Sequence, residues 1–133
     1  MSFEFTVRVY WEDTDAGGIV FYANYLKFFE RARTEWLRSL GIAQRELRER
    51  TGGIFVVGET SVRYLRPARL DDELLVTARV QTAGRASLVL AKEAFLLDSK
   101  MLLCEGIIRI GWVEAASLKP ARIPPNLLEA IQQ

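Results

Sequence analysis

The sequence predicts an α+β fold in which one antiparallel five-stranded sheet wraps around one long apolar helix. Alternating apolar residues predict a strand at the start of the chain, an apolar stripe predicts a long helix after it, and four further strands follow with short connections. Short connections favour antiparallel pairing, and this order lacks the regular strand–helix alternation that builds a parallel sheet. With 133 residues, the chain 1–133 is expected to form a single domain.

The first two elements follow from hydrophobic periodicity. Residues 3–11 alternate between apolar and polar side chains, which predicts a strand whose buried face includes Trp11. A polar, glycine-rich loop follows at residues 12–18. Over residues 25–40 apolar side chains recur at spacings of three and four, which predicts an amphipathic helix that Gly41 ends.

The rest of the chain is predicted to form a short helix, four strands and a final short helix. A proline-containing turn separates the first two of these strands, and the polar loop 98–100 suits a hairpin between the last two. The six elements are expected at residues 43–50, 54–65, 73–82, 86–97, 101–114 and 126–132.

Composition excludes several classes of function. The net charge is +1, which argues against a protein that binds nucleic acid by neutralising phosphates. There is no histidine, so Ser-His-Asp catalysis, Cys-His catalysis and histidine-ligated zinc are excluded within the chain. The single cysteine, Cys104, lies in an apolar run and is expected to be a buried core residue instead of a nucleophile.

Targeting and membrane-spanning segments are not expected from this sequence. No apolar run approaches the roughly 20 residues that a membrane-spanning helix needs. The N-terminal residues lack the basic start and apolar stretch of a signal peptide. The expectation is a cytoplasmic protein without a membrane span.

Acidic residues and glycines concentrate in the loop 13–18. A calcium loop beginning at Asp13 would need an acid at its twelfth position, where the chain has Asn24. A phosphoryl-transferring Asp-x-Asp enzyme would need a parallel sheet, which the order of the elements excludes. Two interpretations stay open for Asp13 and Asp15: an Asx turn that satisfies local N–H groups, or a functional carboxylate.

The residues after this loop favour a functional role for Asp15. The apolar residues 19–22 would desolvate a neighbouring carboxylate, and the long helix begins just beyond them. A helix N-terminus exposes unpaired backbone N–H groups and a partial positive charge. A carboxylate near such a terminus suits acyl transfer, because the amides stabilise the oxyanion while the carboxylate attacks the carbonyl or activates water.

Four stretches of the chain closely resemble the signature of the 4-hydroxybenzoyl-CoA thioesterase family of hotdog-fold proteins. They are residues 8–25, 28–33, 64–72 and 119–124, and the specific part is Thr14-Asp15-x-x-Gly18 with its flanks. The resemblance covers nearly the whole chain and is strongest to the YbgC-type acyl-CoA thioesterases, whose genes often accompany the Tol–Pal system. It implies an antiparallel sheet around a long central helix, and thioester hydrolysis without a metal or bound cofactor.

The resemblance also assigns catalytic roles. The family's catalytic aspartate falls on Asp15, its carbonyl-polarising backbone amide falls on Tyr22, and Gly18 belongs to the same substrate-binding signature. Asp13 falls on a variable neighbour and is interpreted as structural. YbgC-type relatives often carry a histidine beside the tyrosine-like position. This chain has Phe21-Tyr22-Ala23, which resembles the 4-hydroxybenzoyl-CoA enzymes instead.

The phosphates of CoA call for cations near the mouth of the site. By the same resemblance, Arg85 and Ser87 fall where the family contacts the nucleotide, and Arg122 falls on a distal phosphate ligand. Glu59 corresponds to a position that can line the acyl pocket. For each arginine the competing interpretation is a solvated surface charge, and for Glu59 it is an outward strand position.

The resulting hypothesis is an acyl-CoA thioesterase that releases a free acid and CoA. Two alternatives stay open: a thioesterase acting on acyl carrier protein, and a non-catalytic acyl-binding adaptor. The later strands carry apolar residues in both alternation phases, for example Leu74 with Leu75 and Ile107 with Ile108. An apolar face of that size is usually an interface. A homodimer or homotetramer is therefore expected.

Overall fold

The computed structural model describes residues 2–132, which form five strands and three helices. The strands are β1 (Phe3–Arg8), β2 (Gly53–Tyr64), β3 (Glu73–Ala83), β4 (Ser87–Leu96) and β5 (Leu102–Glu114). The helices are α1 (Asn24–Ser39), α2 (Gln44–Thr51) and α3 (Pro125–Gln132). All the predicted elements are present, and their ends lie within a few residues of the predicted ones.

The strands form one antiparallel sheet in the order β1-β3-β4-β5-β2. This confirms the predicted α+β class and the antiparallel pairing. The order leaves the 6-residue β1 at one edge and the 12-residue β2 at the other. Position 53, the first of β2, requires glycine because a β-carbon there would lie 2.2 Å from the indole of Trp112 on the paired strand.

Helix α1 packs its apolar stripe against one face of the sheet. Phe28, Phe29, Ala32 and Leu37 of this helix are completely buried. They join a core with the alternate residues of the three central strands: Leu74, Val76, Leu88, Leu90, Ile108 and Ile110. On the opposite face the same strands present apolar side chains that stay partly exposed, and Ile107 is 44% exposed.

The prediction for the end of β1 is wrong in one respect. Trp11 was expected on the buried face, but its side chain is 81% exposed. The strand ends at Arg8, and residues Trp11–Asp13 turn into a short 3-10 helix, so the alternation of the strand stops applying. Val9 is the last apolar residue of this stretch to enter the core.

Cys104 is a core residue, as predicted. It is completely buried on β5, and burial raises the pKa of its thiol to about 12. A thiol with that pKa stays protonated near neutral pH and is a poor nucleophile. Among the helices formed by residues 2–132, none is long and apolar enough to cross a membrane.

Candidate active site

The loop between β1 and α1 folds back on itself around Asp15. The N–H of Asp15 donates to the carbonyl of Ile19 (2.9 Å), and the N–H of Gly18 donates to the carbonyl of Asp15 (3.0 Å). Gly18 has a φ of +80°, a left-handed conformation that favours glycine. These two bonds hold Asp15 at the first position of a tight turn whose tip is Ala16-Gly17.

The Asp15 carboxylate is exposed and is oriented by one backbone donor. Its Oδ1 accepts a hydrogen bond of 2.8 Å from the N–H of Gly17. A β-carbon at Gly17 would lie 3.2 Å from the same oxygen, so glycine leaves room for the carboxylate. The side chain is therefore positioned locally while facing solvent, where a substrate can reach it.

Asp13 is used quite differently. It is 6% exposed, and its carboxylate accepts a hydrogen bond of 2.8 Å from the N–H of Tyr10. Its carbonyl accepts one from the N–H of Phe21 (2.9 Å) and one from the side-chain amide of Asn24 (2.7 Å). Asp13 ties the loop to the start of α1, which is a structural role.

The start of α1 offers unpaired amides. No backbone carbonyl within residues 2–132 accepts the N–H of Tyr22 or of Ala23, the two residues before the helix. Such groups form the positive end of the helix dipole and bind an oxyanion well. The phenol of Tyr64 donates to the carbonyl of Tyr22 (3.1 Å), and the two rings meet edge to face, which fixes this segment.

An apolar cavity of about 280 Å³ lies beside these amides. Its walls include Ile19, Tyr22, Tyr25 and Tyr64. The phenol oxygen of Tyr25 accepts a hydrogen bond from the N–H of Ala68 (3.2 Å). Burial raises the pKa of Tyr25, so this phenol stays neutral. We call this region, with Asp15, Gly18 and Tyr22, the carboxylate end of the sheet.

Arg85, Ser87 and Arg122 lie together at the opposite end of the sheet. The carbonyl of Arg85 accepts a hydrogen bond of 2.8 Å from the N–H of Ile123, which brings Arg85 and Arg122 close together. Both arginines are exposed, and Ser87 is half-buried where β4 begins. We call this region the arginine end of the sheet.

The two ends are separated by the length of the strands. β4 has 10 residues between them, which corresponds to about 30 Å. The candidate residues of one protomer therefore fall into two groups that do not meet. Glu59 belongs to neither group: it is exposed in the middle of β2, opposite Arg109 and next to a bulge.

Comparison with known proteins identifies the family. The family described as "Thioesterase superfamily" matches residues 17–102, more than half of the chain. The chain belongs to the thioesterase superfamily. It is a thioester hydrolase with the hotdog fold that the resemblance implied.

Individual relatives agree with this assignment. The protein named "Acyl-CoA thioesterase YbgC" from Haemophilus influenzae is 40% identical over 97% of this chain and 93% of its own length. "Acyl-CoA thioester hydrolase YbgC" from Escherichia coli is 39% identical over 98% of this chain and 96% of its own. A solved 1,4-dihydroxy-2-naphthoyl-CoA thioesterase from Synechocystis shares the fold, with a TM-score of 0.92 at 22% identity, covering 100% of this chain and 97% of that one.

The burial of two cationic side chains of this thioesterase was not predicted from the sequence. Lys92 on β4 is 2% exposed, and Arg33 on α1 is 9% exposed. A signal for both was present. Lys92 shares the alternation phase of Leu90 and Ala94, and Arg33 lies one turn after Phe29 on the apolar stripe of its helix. A charged residue in a buried phase marks a polar group that the core must satisfy.

Proposed function

We propose that this thioesterase hydrolyses acyl-CoA thioesters to a free acid and CoA, with Asp15 and the Tyr22 amide as its catalytic groups. One arrangement carries the proposal: an exposed, oriented carboxylate on the loop that leads into the unpaired amides of α1. Because an apolar cavity adjoins these amides, a thioester carbonyl has both a donor for its oxygen and room for its acyl group.

The chemistry follows from these groups. The Tyr22 N–H donates to the carbonyl oxygen and stabilises the negative charge that develops there, which is worth roughly 2.7–4 kcal/mol for one well-placed donor. Asp15 either attacks the carbonyl carbon and forms an anhydride that water then hydrolyses, or takes a proton from the attacking water. In both routes the C–S bond breaks and the departing CoA thiolate takes up a proton. Isotope from labelled water found in Asp15 after one turnover would identify direct attack.

Acyl-CoA is favoured over acyl carrier protein by the two relatives at 39–40% identity, which are named as an acyl-CoA thioesterase and an acyl-CoA thioester hydrolase. Exposed arginines at the arginine end suit the phosphates of CoA. The exposed Asp15 carboxylate argues against a purely binding adaptor, because a passive acyl-binding site gains nothing from an unneutralised carboxylate next to it.

The proposed site is completed by a second copy of the chain. β2 is a long edge strand, and unpaired edges of this length are usually covered. Antiparallel pairing of β2 with β2 of a second copy would place the Gly53 end of one strand beside the Tyr64 end of the other. Arg85 lies at the Gly53 end and Asp15 at the Tyr64 end, so pairing joins the two groups across the interface. The partly exposed apolar outer face around Ile107 then suits stacking of two dimers into a tetramer.

A substrate panel tests the proposed reaction. Short, long and aromatic acyl-CoAs and an acylated carrier protein are incubated with the protein, with Asp15→Asn and with Asp98→Asn, an exposed control in the β4–β5 turn. We expect acyl-CoA hydrolysis that Asp15→Asn reduces at least about 100-fold, as loss of a base or nucleophile does, while Asp98→Asn has no effect. Turnover only of the carrier protein, or full activity of Asp15→Asn, would contradict the proposal.

A further inference from the structure

A second cavity, of about 270 Å³, lies between α1 and β2. Leu26 of α1, Val57 of β2 and Ile108 of β5 make much of its wall apolar, whereas Arg33 and Lys92 give it two cationic groups. None of these residues has a part in the reaction described above. The cavity is thus an apolar recess with an unusual pair of charges.

Both cations are buried, and neither is bonded directly to a carboxylate of the described residues. The Lys92 ammonium donates one hydrogen bond, to the carbonyl of Phe29 (2.7 Å), and Arg33 Nε has no hydrogen-bond partner. Of the ion pairs formed within residues 2–132, none includes Lys92 or Arg33. Burial, followed by the charge of Arg33, lowers the pKa of Lys92 to about 7. Buried charges are normally paired, so this pair has unused capacity for an anion.

The charge of the nearby Glu30 carboxylate raises the pKa of Arg33 and of Lys92 and so opposes the effect of burial, but among residues 2–132 Glu30 forms no ion pair with either cation. Glu30 lines the same cavity, but it is exposed and its oxygen accepts a hydrogen bond from the hydroxyl of Thr34 (3.3 Å). Lys92 has three N–H donors, of which one is used by Phe29. Two donors of Lys92 and the Nε–H of Arg33 are therefore available in one apolar recess.

The second cavity follows the first along α1. Tyr25 lines the first cavity, and Leu26, the next residue, lines the second. Arg33 follows Leu26 by seven residues, which puts both on one face of α1, and at 1.5 Å per residue they are roughly 10 Å apart along the helix axis. A long acyl group whose carbonyl is at the Tyr22 amide would start in the first cavity and pass Leu26 to reach the two cations.

We propose that Lys92 and Arg33 bind a carboxylate at the far end of the acyl group, so that the enzyme prefers thioesters of dicarboxylic acids. This inference rests on the proposed function, since it takes Tyr22 as the carbonyl site. A carboxylate offers two oxygens to the two cations and neutralises part of their charge. A terminal hydroxyl would accept a hydrogen bond but leave both charges unpaired.

Matched substrates test this specificity. The value of kcat/KM is measured for CoA thioesters of equal chain length that end in either a methyl group or a carboxylate, over a series of lengths. We expect the carboxylate series to be preferred by at least about tenfold, because a site with buried polar groups discriminates against a substrate that leaves them unpaired. A preference for the methyl series at every length would overturn the inference.

Two variants separate recognition of the carboxylate from general damage. Lys92→Met keeps the length of the side chain and removes its charge, and Lys27→Met makes the same change at an exposed site on α1. Lys92→Met should lower the preference for the carboxylate series about tenfold while the methyl series keeps its activity, and Lys27→Met should change neither. An unchanged preference in Lys92→Met would overturn the inference, as would an equal loss on both series.

A binding measurement distinguishes failure of this inference from failure of the proposed reaction. Suberate, a free dicarboxylate, is titrated calorimetrically into the Asp15→Asn and Asp15→Asn/Lys92→Met proteins, with suberamide, its uncharged diamide of equal length, as the control ligand. Tighter binding of suberate that Lys92→Met abolishes supports the cavity even if no acyl-CoA is hydrolysed. Equal binding of suberate by both proteins, or no tighter binding of suberate than of suberamide, would overturn the inference even if acyl-CoA hydrolysis is efficient.

Discussion

The two ends of the sheet differ in what they offer a substrate. At the carboxylate end, a tight turn orients the exposed Asp15 on the loop that leads into the unpaired amides of Tyr22 and Ala23, and an apolar cavity adjoins Tyr22. At the arginine end, one backbone hydrogen bond brings Arg85 and Arg122 together. The residues assigned to this end contribute cations and a hydroxyl, and none of them is a carboxylate. The first region has the chemistry for breaking a thioester, and the second has only charge for holding an anion.

The two ends of the sheet lie far apart within one protomer. Within one protomer about 30 Å of strand lies between them, so under the proposed function one protomer does not bring Asp15 and the two arginines to the same substrate. Pairing at the free β2 edge would reverse one protomer relative to the other and bring unlike ends together. The proposed assembly therefore predicts that Asp15 and the arginines of one site come from different protomers, which can be tested.

The largest expected effect comes from combining two defective protomers. Asp15→Asn and Arg85→Glu/Arg122→Glu are each expected to have little activity as homodimers. A purified heterodimer of the two should recover about half of the wild-type turnover, because one of its two sites contains only unaltered residues. Turnover per heterodimer is measured at an acyl-CoA concentration well below KM, where loss of binding at the arginine end lowers the rate. A heterodimer no more active than its parents would mean that both ends serve the same protomer.

A smaller effect is expected from neutralising the arginine end alone. Arg85→Ala or Arg122→Ala should raise KM for acyl-CoA about threefold to tenfold and leave kcat nearly unchanged, as loss of uniform binding does. Steady-state kinetics check this, with Arg45→Ala as the control for removal of an exposed arginine on α2. A fall in kcat without a change in KM would remove these arginines from the CoA site.

Two glycines provide a matched pair, one at each end. Gly17→Ala places a β-carbon 3.2 Å from the Asp15 carboxylate, whereas Gly84→Ala meets only ordinary contacts at 3.5 Å from the carbonyl of Ser87. Gly17→Ala should therefore lower kcat by about threefold to tenfold through displacement of Asp15, and Gly84→Ala should leave kcat unchanged. Equal values of kcat for the two variants would show that the position of Asp15 is not limiting.

The smallest effect on catalysis is expected at Asp13. Asp13→Asn keeps an acceptor for the N–H of Tyr10 and should retain most turnover. Asp13→Ala leaves that N–H without its acceptor and should lower the free energy of unfolding by about 1–2 kcal/mol. Denaturant unfolding and single-point assays measure the two quantities separately. Loss of turnover in Asp13→Asn comparable to that in Asp15→Asn would mean that the wrong carboxylate has been assigned.

The sequence by itself determined the elements and their buried faces. A period of two places Leu74, Val76 and Leu90 on one face of the sheet, and spacings of three and four define the stripe of α1, because side-chain direction is fixed by local backbone geometry. The loop with Asp15 and Gly18 was also recognisable, since its residues are neighbours in the chain. The same local rule failed at Trp11, where the strand stops and a short helical turn begins.

Only the tertiary structure decided the strand order beyond the β4–β5 hairpin, which the polar loop 98–100 had predicted. Alternation does not reveal strand order, so the free β2 edge and the distance between Asp15 and Arg85 depend on long-range pairing. The position of Lys92 and Arg33 in one cavity also depends on long-range packing. These residues are 59 positions apart in the chain and come together only when α1 packs against β4. Hydrophobic burial is non-directional. The sequence pattern therefore predicts that a position is buried, whereas the packing of the whole chain decides which residues surround it.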